Sequence, residues 1–205
     1  MAYFPFFVPL EDKKGLIIGG GAVALRKANS LLDYGPALTV TAPCICRELK
    51  ALPLSIRERP FRPEDVEGMD FVIAASDDRS VNAEAARLCR EKKLPVNVAD
   101  SPEDSTFLFP SLIRRGDLSV GVSTGGASPT AARWLRQEVE ALLPHRTEEI
   151  LSDLQQRRAW AKEQNLQEKS RSDLLRRLFF ASLEAGRALT DREAEQILDE
   201  IRKGE

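Results

Sequence analysis

The chain is poor in the residues that build metal centres and nucleophilic triads. Its 205 residues include one histidine, His145, and three cysteines, Cys44, Cys46 and Cys89. Cys44-Ile45-Cys46 does not have the spacing of a zinc pair, and no second pair completes a tetrahedral set. A single histidine excludes a Ser-His-Asp triad unless His145 is itself the base. Just after Pro144, it reads as a solvated residue at the start of a helix. An odd, small cysteine count without a secretory signal predicts reduced thiols in a cytoplasm. Residues 1–9 are apolar (MAYFPFFVP), but too short for such a signal, with no basic start and no cleavage site. The expectation for them is an edge strand or a segment packed on a sheet. Basic charge is not in excess: the formal net charge is −2, which gives no nucleic-acid footprint. No apolar run reaches the length of a bilayer span, and there is no repeat or low-complexity tract.

What is present is a run that changes period abruptly: Leu16-Ile17-Ile18, then Gly19-Gly20-Gly21, then the helix-like Ala22-Val23-Ala24. A buried parallel strand hands the chain to a helix in this way, with the helix N-terminus facing a dinucleotide pyrophosphate. Gly19 allows the tight turn, Gly21 the close approach of backbone to phosphate, and Ala24 the close packing of helix on strand. Free N–H groups and the helix dipole at that end favour an anion.

The alternation continues. Residues 15–19, 37–42, 54–58, 70–75 and 95–99 read as strands, and residues 22–34 and 80–93 as helices. Such alternation predicts an α/β fold with a parallel doubly wound sheet and a ligand beyond the carboxyl ends of its strands. After residue 100 the rhythm changes. Residues 106–113 and 118–124 read as paired strands around Arg114-Arg115-Gly116-Asp117. Ser128 then caps a helix with Pro129 in its first turn and Ala132, Leu135, Val139 and Leu142 on one face. From His145 onward three charged helices follow. Ile150, Leu154 and Ala161 mark the first; Leu174, Leu175, Leu178 and Phe179 the second; Ala194, Ile197 and Ile201 the third. A capping box over Thr190–Glu193 opens the last. Pairs such as Arg157-Arg158 and Arg176-Arg177 are interleaved with acids and read as solvated faces.

The residues alone leave NAD against NADP open. The end of the second strand reads Thr41-Ala42-Pro43-Cys44, with no acid for ribose hydroxyls and no arginine for a 2′-phosphate, although Arg47 lies a few residues on. Ala75 and Ser76 end the fourth strand and suit a place beside a cofactor ring or ribose. Their plain alternative is a strand end with a helix cap at Asp77, Asp78 and Ser80. Asp100, at the end of the fifth strand, is a candidate general base. Its plain alternative is to cap the turn at Ser101-Pro102.

Five motifs stand in order: Gly19-Gly20-Gly21-Ala22-Val23-Ala24 with Arg26-Lys27-Ala28; Ala74-Ala75-Ser76-Asp77-Asp78 with Val81-Asn82; Asn97-Val98-Ala99-Asp100; Phe107-Leu108-Phe109-Pro110-Ser111; and Ser123-Thr124-Gly125-Gly126-Ala127-Ser128-Pro129. Together they resemble the precorrin-2 dehydrogenase family, whose module also forms the N-terminal part of siroheme synthases. The resemblance is close over residues 1–144. It implies a Rossmann-like NAD-binding domain (1–109), a small α+β dimerisation and substrate region (110–144) and a helical domain (145–205) in a homodimer. It implies oxidation of precorrin-2 to sirohydrochlorin with NAD, and in some members Fe²⁺ insertion. By motif it assigns Ala22, Val23, Pro43 and Cys44 to the NAD site and Asp100 to the essential carboxylate, with any Fe²⁺ held only transiently near it. Thr124 stands where some relatives carry a serine that is phosphorylated. A flat polycarboxylate substrate calls for cations and helix starts. The candidates are Thr124, Gly125, Gly126 and Ser128 with Arg114 and Arg133, and beside them Arg115 and Arg136, although surface or dimer ion pairs are the plain alternative for the arginines. The chain ends at Glu205 with no appended methyltransferase segment, so the expectation is that it does not make precorrin-2. The alternatives are a non-enzymatic module that binds NAD or a tetrapyrrole, and an oxidoreductase of another small molecule on the same fold.

Overall fold

The computed structural model describes residues 3–99 and 101–203. They form two compact units that meet in the chain at Phe109 and Pro110. In the first, β1 (Lys14–Ile18), β2 (Ala37–Ala42), β3 (Ser55–Glu58), β4 (Phe71–Ala74) and β5 (Val96–Val98) make one parallel sheet, ordered β3-β2-β1-β4-β5. Helices α1 (Ala22–Leu32) and α2 (Arg47–Lys50) cover one face, through Ala24, Ala28, Leu31 and Leu49 against Ile17, Val40 and Ile73. Helix α3 (Arg79–Glu91) covers the other, through Ala85, Ala86 and Cys89 against Leu16, Ile18, Val72 and Val96. Both faces are covered, so β4 is buried at every position, as its unbroken apolar run requires. The chain leaves β1 for β2 on one side, and β4 lies on the other. That reversal of strand order opens a crevice at the strand ends.

Two parts of this unit depart from the sequence reading. The segment from Thr106 is not a strand until Ser111. The hydroxyls of Ser105 and Thr106 instead close the free edge of β5: the Val96 N–H donates to Thr106 Oγ1 at 2.8 Å and the Val98 N–H to Ser105 Oγ at 2.9 Å. Phe107 and Phe109 turn inward against the core, and Asn97 donates to the Phe107 carbonyl. Alternating aromatics imitate a strand, but side-chain hydroxyls satisfy the edge better than a ladder interrupted at Pro110. Residues 3–9 form no strand, and Phe4, Phe6, Phe7 and Val8 are exposed. Pro5 and Pro9 withhold the N–H groups that an edge strand needs.

Among the described residues of this unit, Asp65, 3% exposed, is the buried acid. It accepts from Arg57 Nη1 at 2.8 Å, from both terminal nitrogens of Arg59 at 2.8 and 2.6 Å, and from the Arg62 N–H at 3.0 Å. The Arg59 guanidinium, foremost among these, holds its carboxyl down at about 2. A carboxyl lowered in the folded state contributes stability that is complete above its unfolded value and disappears as pH falls through its folded one. Acid titration of unfolding between pH 4 and 2 will therefore be about 2 kcal/mol steeper in the native chain than in Asp65→Asn. Chemical denaturation at several pH values checks this, and parallel curves would refute it.

In the second unit, β6 (Ser111–Arg115) and β7 (Leu118–Val122) form an antiparallel hairpin that α4 (Pro129–Leu142) packs upon. Ser128 caps α4 as expected, its hydroxyl accepting from the Ala131 N–H at 3.1 Å. The inward stripe expected of α4 is only partly inward. Ala132 is buried, but Leu135 is 41% and Leu142 82% exposed, beside an exposed Trp134. A two-stranded hairpin is too narrow to cover the whole apolar arc of a helix. Helices α5 (Thr147–Glu163), α6 (Glu168–Ala185) and α7 (Asp191–Lys203) pack through Ala161, Leu174, Leu178, Ala194, Leu198 and Ile201. Phe179, expected inside, lies half outside and edge-on to Phe180, because Leu174 and Leu178 four residues apart take the core side. The capping box closes as expected: the Thr190 N–H donates to Glu193, and the Glu193 N–H to Thr190 Oγ1. His145 is exposed before α5. No helix among the described residues is long and apolar enough to cross a membrane.

Candidate functional site

The crevice at the strand ends is a cavity of about 1430 Å³ within the first unit. Its floor is the glycine turn between β1 and α1. Gly19 sits at φ +130°, where side chains are strained, and a Cβ there would meet the Ala75 carbonyl oxygen at 2.3 Å. A Cβ on Gly20 would meet the Cys44 carbonyl oxygen at 1.9 Å. The backbone is drawn that close by two bonds: the Gly19 N–H donates to Thr41 O and the Cys46 N–H to Gly20 O, both at 2.9 Å. Gly21 differs, since a Cβ on it would meet nothing within 4 Å. It is the N-cap of α1 and provides no side-chain cap, and the first turn carries no acid. The first intrahelical bond is donated by Leu25 to Gly21 O, so the amides before it are not used within the helix. This is an open cradle of amides at a positive helix end, fitted to a pyrophosphate.

Two walls rise from this floor. One, beyond β2, is Thr41, Ala42, Pro43, Cys44, Ile45 and Cys46, with Pro60 and Phe61. The other, beyond β4 and β5, includes Ala75, Ser76, Asn82, Val98, Ala99 and Ser101. Asn82 is buried and grips the Ser76 backbone at both ends, accepting from its N–H at 3.0 Å and donating to its carbonyl at 2.9 Å. Asp78 caps α3, and the Ser80 hydroxyl and N–H hold its carboxyl below the usual range. At the outer rim Arg90 pairs with Asp104 at 2.5 Å, which lowers that carboxyl too. A floor that takes a pyrophosphate, with a wall on each side of it, fits a dinucleotide.

The cavity is lined by Gly19, Gly21, Ala22, Val23, Pro43, Cys44, Ala75 and Ser76, all singled out from the sequence. Ala24 does not line it. It is fully buried and packs helix on strand, as expected of it. Gly20, Thr41, Cys46, Phe61 and Asn82 line it without having been singled out for it. Of these, Gly20 had a signal in the sequence, a third glycine in the turn; Phe61 had none. Asp100 lies outside the described residues. Its chain neighbours Ala99 and Ser101 both line the cavity.

Thr124, Gly125, Gly126 and Ser128 share one loop of the second unit, before α4. Thr124 Oγ1 donates to the Ser128 carbonyl and accepts from its N–H, both at 3.1 Å, and Gly125 and Gly126 have positive φ. Arg114 and Arg133 are exposed in the same unit. Glu140 pairs with both Arg115 and Arg136.

Comparison with known proteins agrees with this geometry. A family model described as "Putative NAD(P)-binding" matches residues 6–111, more than half of the chain. A second, described as "Sirohaem biosynthesis protein central", matches residues 115–142. Siroheme synthase of Methylococcus capsulatus is 46% identical over 150 residues, covering 71% of this chain and 32% of that protein. Siroheme synthase of Thioalkalivibrio sulfidiphilus is 43% identical over 148 residues, covering 70% and 30%. That of Pseudomonas aeruginosa is 39% identical over 178 residues, covering 78% and 38%. The chain thus spans about a third of the length of the curated relatives it matches. A solved structure, the precorrin-2 dehydrogenase SirC, shares the fold with a TM-score of 0.75 at 23% identity, covering 98% of this chain and all of that one.

Proposed function

The chain belongs to the precorrin-2 dehydrogenase and siroheme synthase N-terminal module family, and on that premise we propose that it oxidises precorrin-2 to sirohydrochlorin with NAD. The observation that carries this is the uncapped glycine turn of α1, whose amides face a cavity running from the end of β2 to the ends of β4 and β5. Bound NAD supplies a hydride acceptor; the overall change gives sirohydrochlorin, NADH and one proton. Gly19 to Val23 hold the pyrophosphate, Thr41 to Cys46 the adenosine half, and Ala75 and Ser76, fixed by Asn82, border the nicotinamide half. Asp100 receives the proton or holds a pyrrole N–H. The loop Thr124 to Ser128, with Arg114 and Arg133, takes substrate carboxylates. Residues 110–144 serve dimerisation and substrate, and residues 145–205 form the helical domain. The exposed stripe of Trp134, Leu135 and Leu142 supports a homodimer, since an apolar patch of this kind marks an interface. Three thiols outside any disulfide go with a cytoplasmic enzyme. Insertion of Fe²⁺ into the product is the second reading, favoured by the match to siroheme synthases.

The test is an anaerobic mixture of the protein with precorrin-2 and NAD, free of metal, followed by absorbance. Stoichiometric NADH and sirohydrochlorin are expected, and added Fe²⁺ then tests chelation. Bound NAD without NADH would overturn the enzyme reading in favour of a binding module.

Thiol chemistry reads the cofactor half by itself. Cys44 is exposed and lines the cavity, whereas Cys89 is fully buried and burial pushes its thiol up to about 11. A maleimide will label Cys44 first and Cys89 only on unfolding. Saturating NAD will slow labelling of Cys44 about tenfold or more, for the protected fraction follows occupancy. Peptide mass mapping checks both, and unprotected labelling would remove Cys44 from the NAD site.

A further inference from the structure

The adenosine wall holds a group of charges that the proposed reaction leaves without a task. β3 runs beside β2 with Thr41 opposite Arg57 and Ala42 opposite Glu58. Thr41 Oγ1 donates to the Arg59 carbonyl at 3.4 Å, and Pro60 and Phe61, next in the chain, line the cavity. Arg57 and Arg59 therefore stand at the end of the sheet where the ribose of the adenosine half belongs. A 2′-phosphate on that ribose needs a cation here, most often an arginine, whereas a 2′-hydroxyl does not.

Neither arginine is at liberty to serve. Arg59 presents both terminal nitrogens to the Asp65 carboxylate, and Arg57 Nη1 shares the same carboxylate. The neighbouring Lys50 is held in the same way, with Glu58 at 2.7 and 2.8 Å. Arg47, a few residues beyond the end of β2, is not in the cavity lining. Asp65 is itself buried and fixed by the Arg62 N–H, so it cannot swing aside with its partners.

We propose that Asp65 sets the dinucleotide preference of this chain, admitting NAD and rejecting NADP by withholding Arg57 and Arg59 from a 2′-phosphate. To bind NADP, the site must either draw two arginines off a buried carboxylate or hold a phosphate of nearly two negative charges without a partner. The preference arises from a carboxylate that never touches the ribose, which explains how the end of β2 can lack the acid usual for NAD. This rests on the pocket being a dinucleotide site.

The test is binding of NAD and NADP, each alone, to the full chain by calorimetry, with no tetrapyrrole present. The native chain will bind NAD more tightly. Asp65→Asn will tighten NADP about tenfold, the gain from freeing a charged donor for a phosphate, and leave NAD within about threefold. Arg59→Gln in the native background will change neither affinity, and in the Asp65→Asn background it will cancel the gain. An unchanged NADP affinity in folded Asp65→Asn overturns the proposal. So does a loss of NADP affinity in Arg59→Gln alone, which would mean that the arginine already serves the phosphate; this second arm decides the matter even where Asp65→Asn does not fold. Failure of the native chain to bind either dinucleotide would instead refute the reading of the pocket.

Discussion

Asp100→Asn will reduce NADH formation from precorrin-2 by about 10²–10⁴, the range of a general base, while the affinity for NAD stays within about twofold. Asparagine keeps the size of the side chain and its ability to cap a turn, but it cannot take up a proton at neutral pH. The substitution therefore separates the two readings of this position. If the carboxylate only caps the turn at Ser101-Pro102, asparagine will serve as well and activity will persist. If it receives the proton, turnover is lost without loss of fold. Ala99 and Ser101, on either side in the chain, both line the cavity. Stopped-flow absorbance of NADH together with calorimetry of NAD binding decides between them, and retained turnover would remove Asp100 from the chemistry.

The three adjacent glycines will respond to alanine in opposite ways. Gly20→Ala forces a methyl against the Cys44 carbonyl oxygen, and Gly19→Ala combines a similar clash at Ala75 with a strained φ. Each clash is with backbone, which cannot rotate away, so each substitution will lower stability by about 2–4 kcal/mol. Gly21→Ala meets nothing and has a negative φ. It will leave the unfolding midpoint in place, yet its methyl stands in the amide cradle, and NAD affinity will fall about tenfold or more. Thermal unfolding beside NAD titration of the three variants reads this directly. A Gly21→Ala variant that binds NAD like the native chain would show that the phosphates do not approach Gly21.

Much of this was legible in the chain itself because local signals and tertiary structure agree. Buried parallel strands must be apolar on both faces, so β1 and β4 announce themselves as short unbroken runs. Helix caps are short-range devices, and Ser128, Asp78 and the Thr190–Glu193 box all act within three residues. Where the reading missed, a local pattern had two physical uses. Phe107 and Phe109 alternate as a strand does but serve as a lid on the core, and the stripe on α4 has the period of a buried face but too little sheet beneath it.

The sequence by itself determined the order of strands and helices, the glycine turn and the family, because each depends on residues close together in the chain. Only the tertiary structure decided which charges meet. Arg57 and Arg59, each about a third exposed, meet the buried carboxylate of Asp65 just beyond β3, and β3 laid beside β2 brings them to the end of the sheet that holds the cofactor cavity. The difference is physical: backbone periodicity is written residue by residue, whereas which strand lies beside which, and so which charges border the cavity, depends on how elements distant in the chain pack.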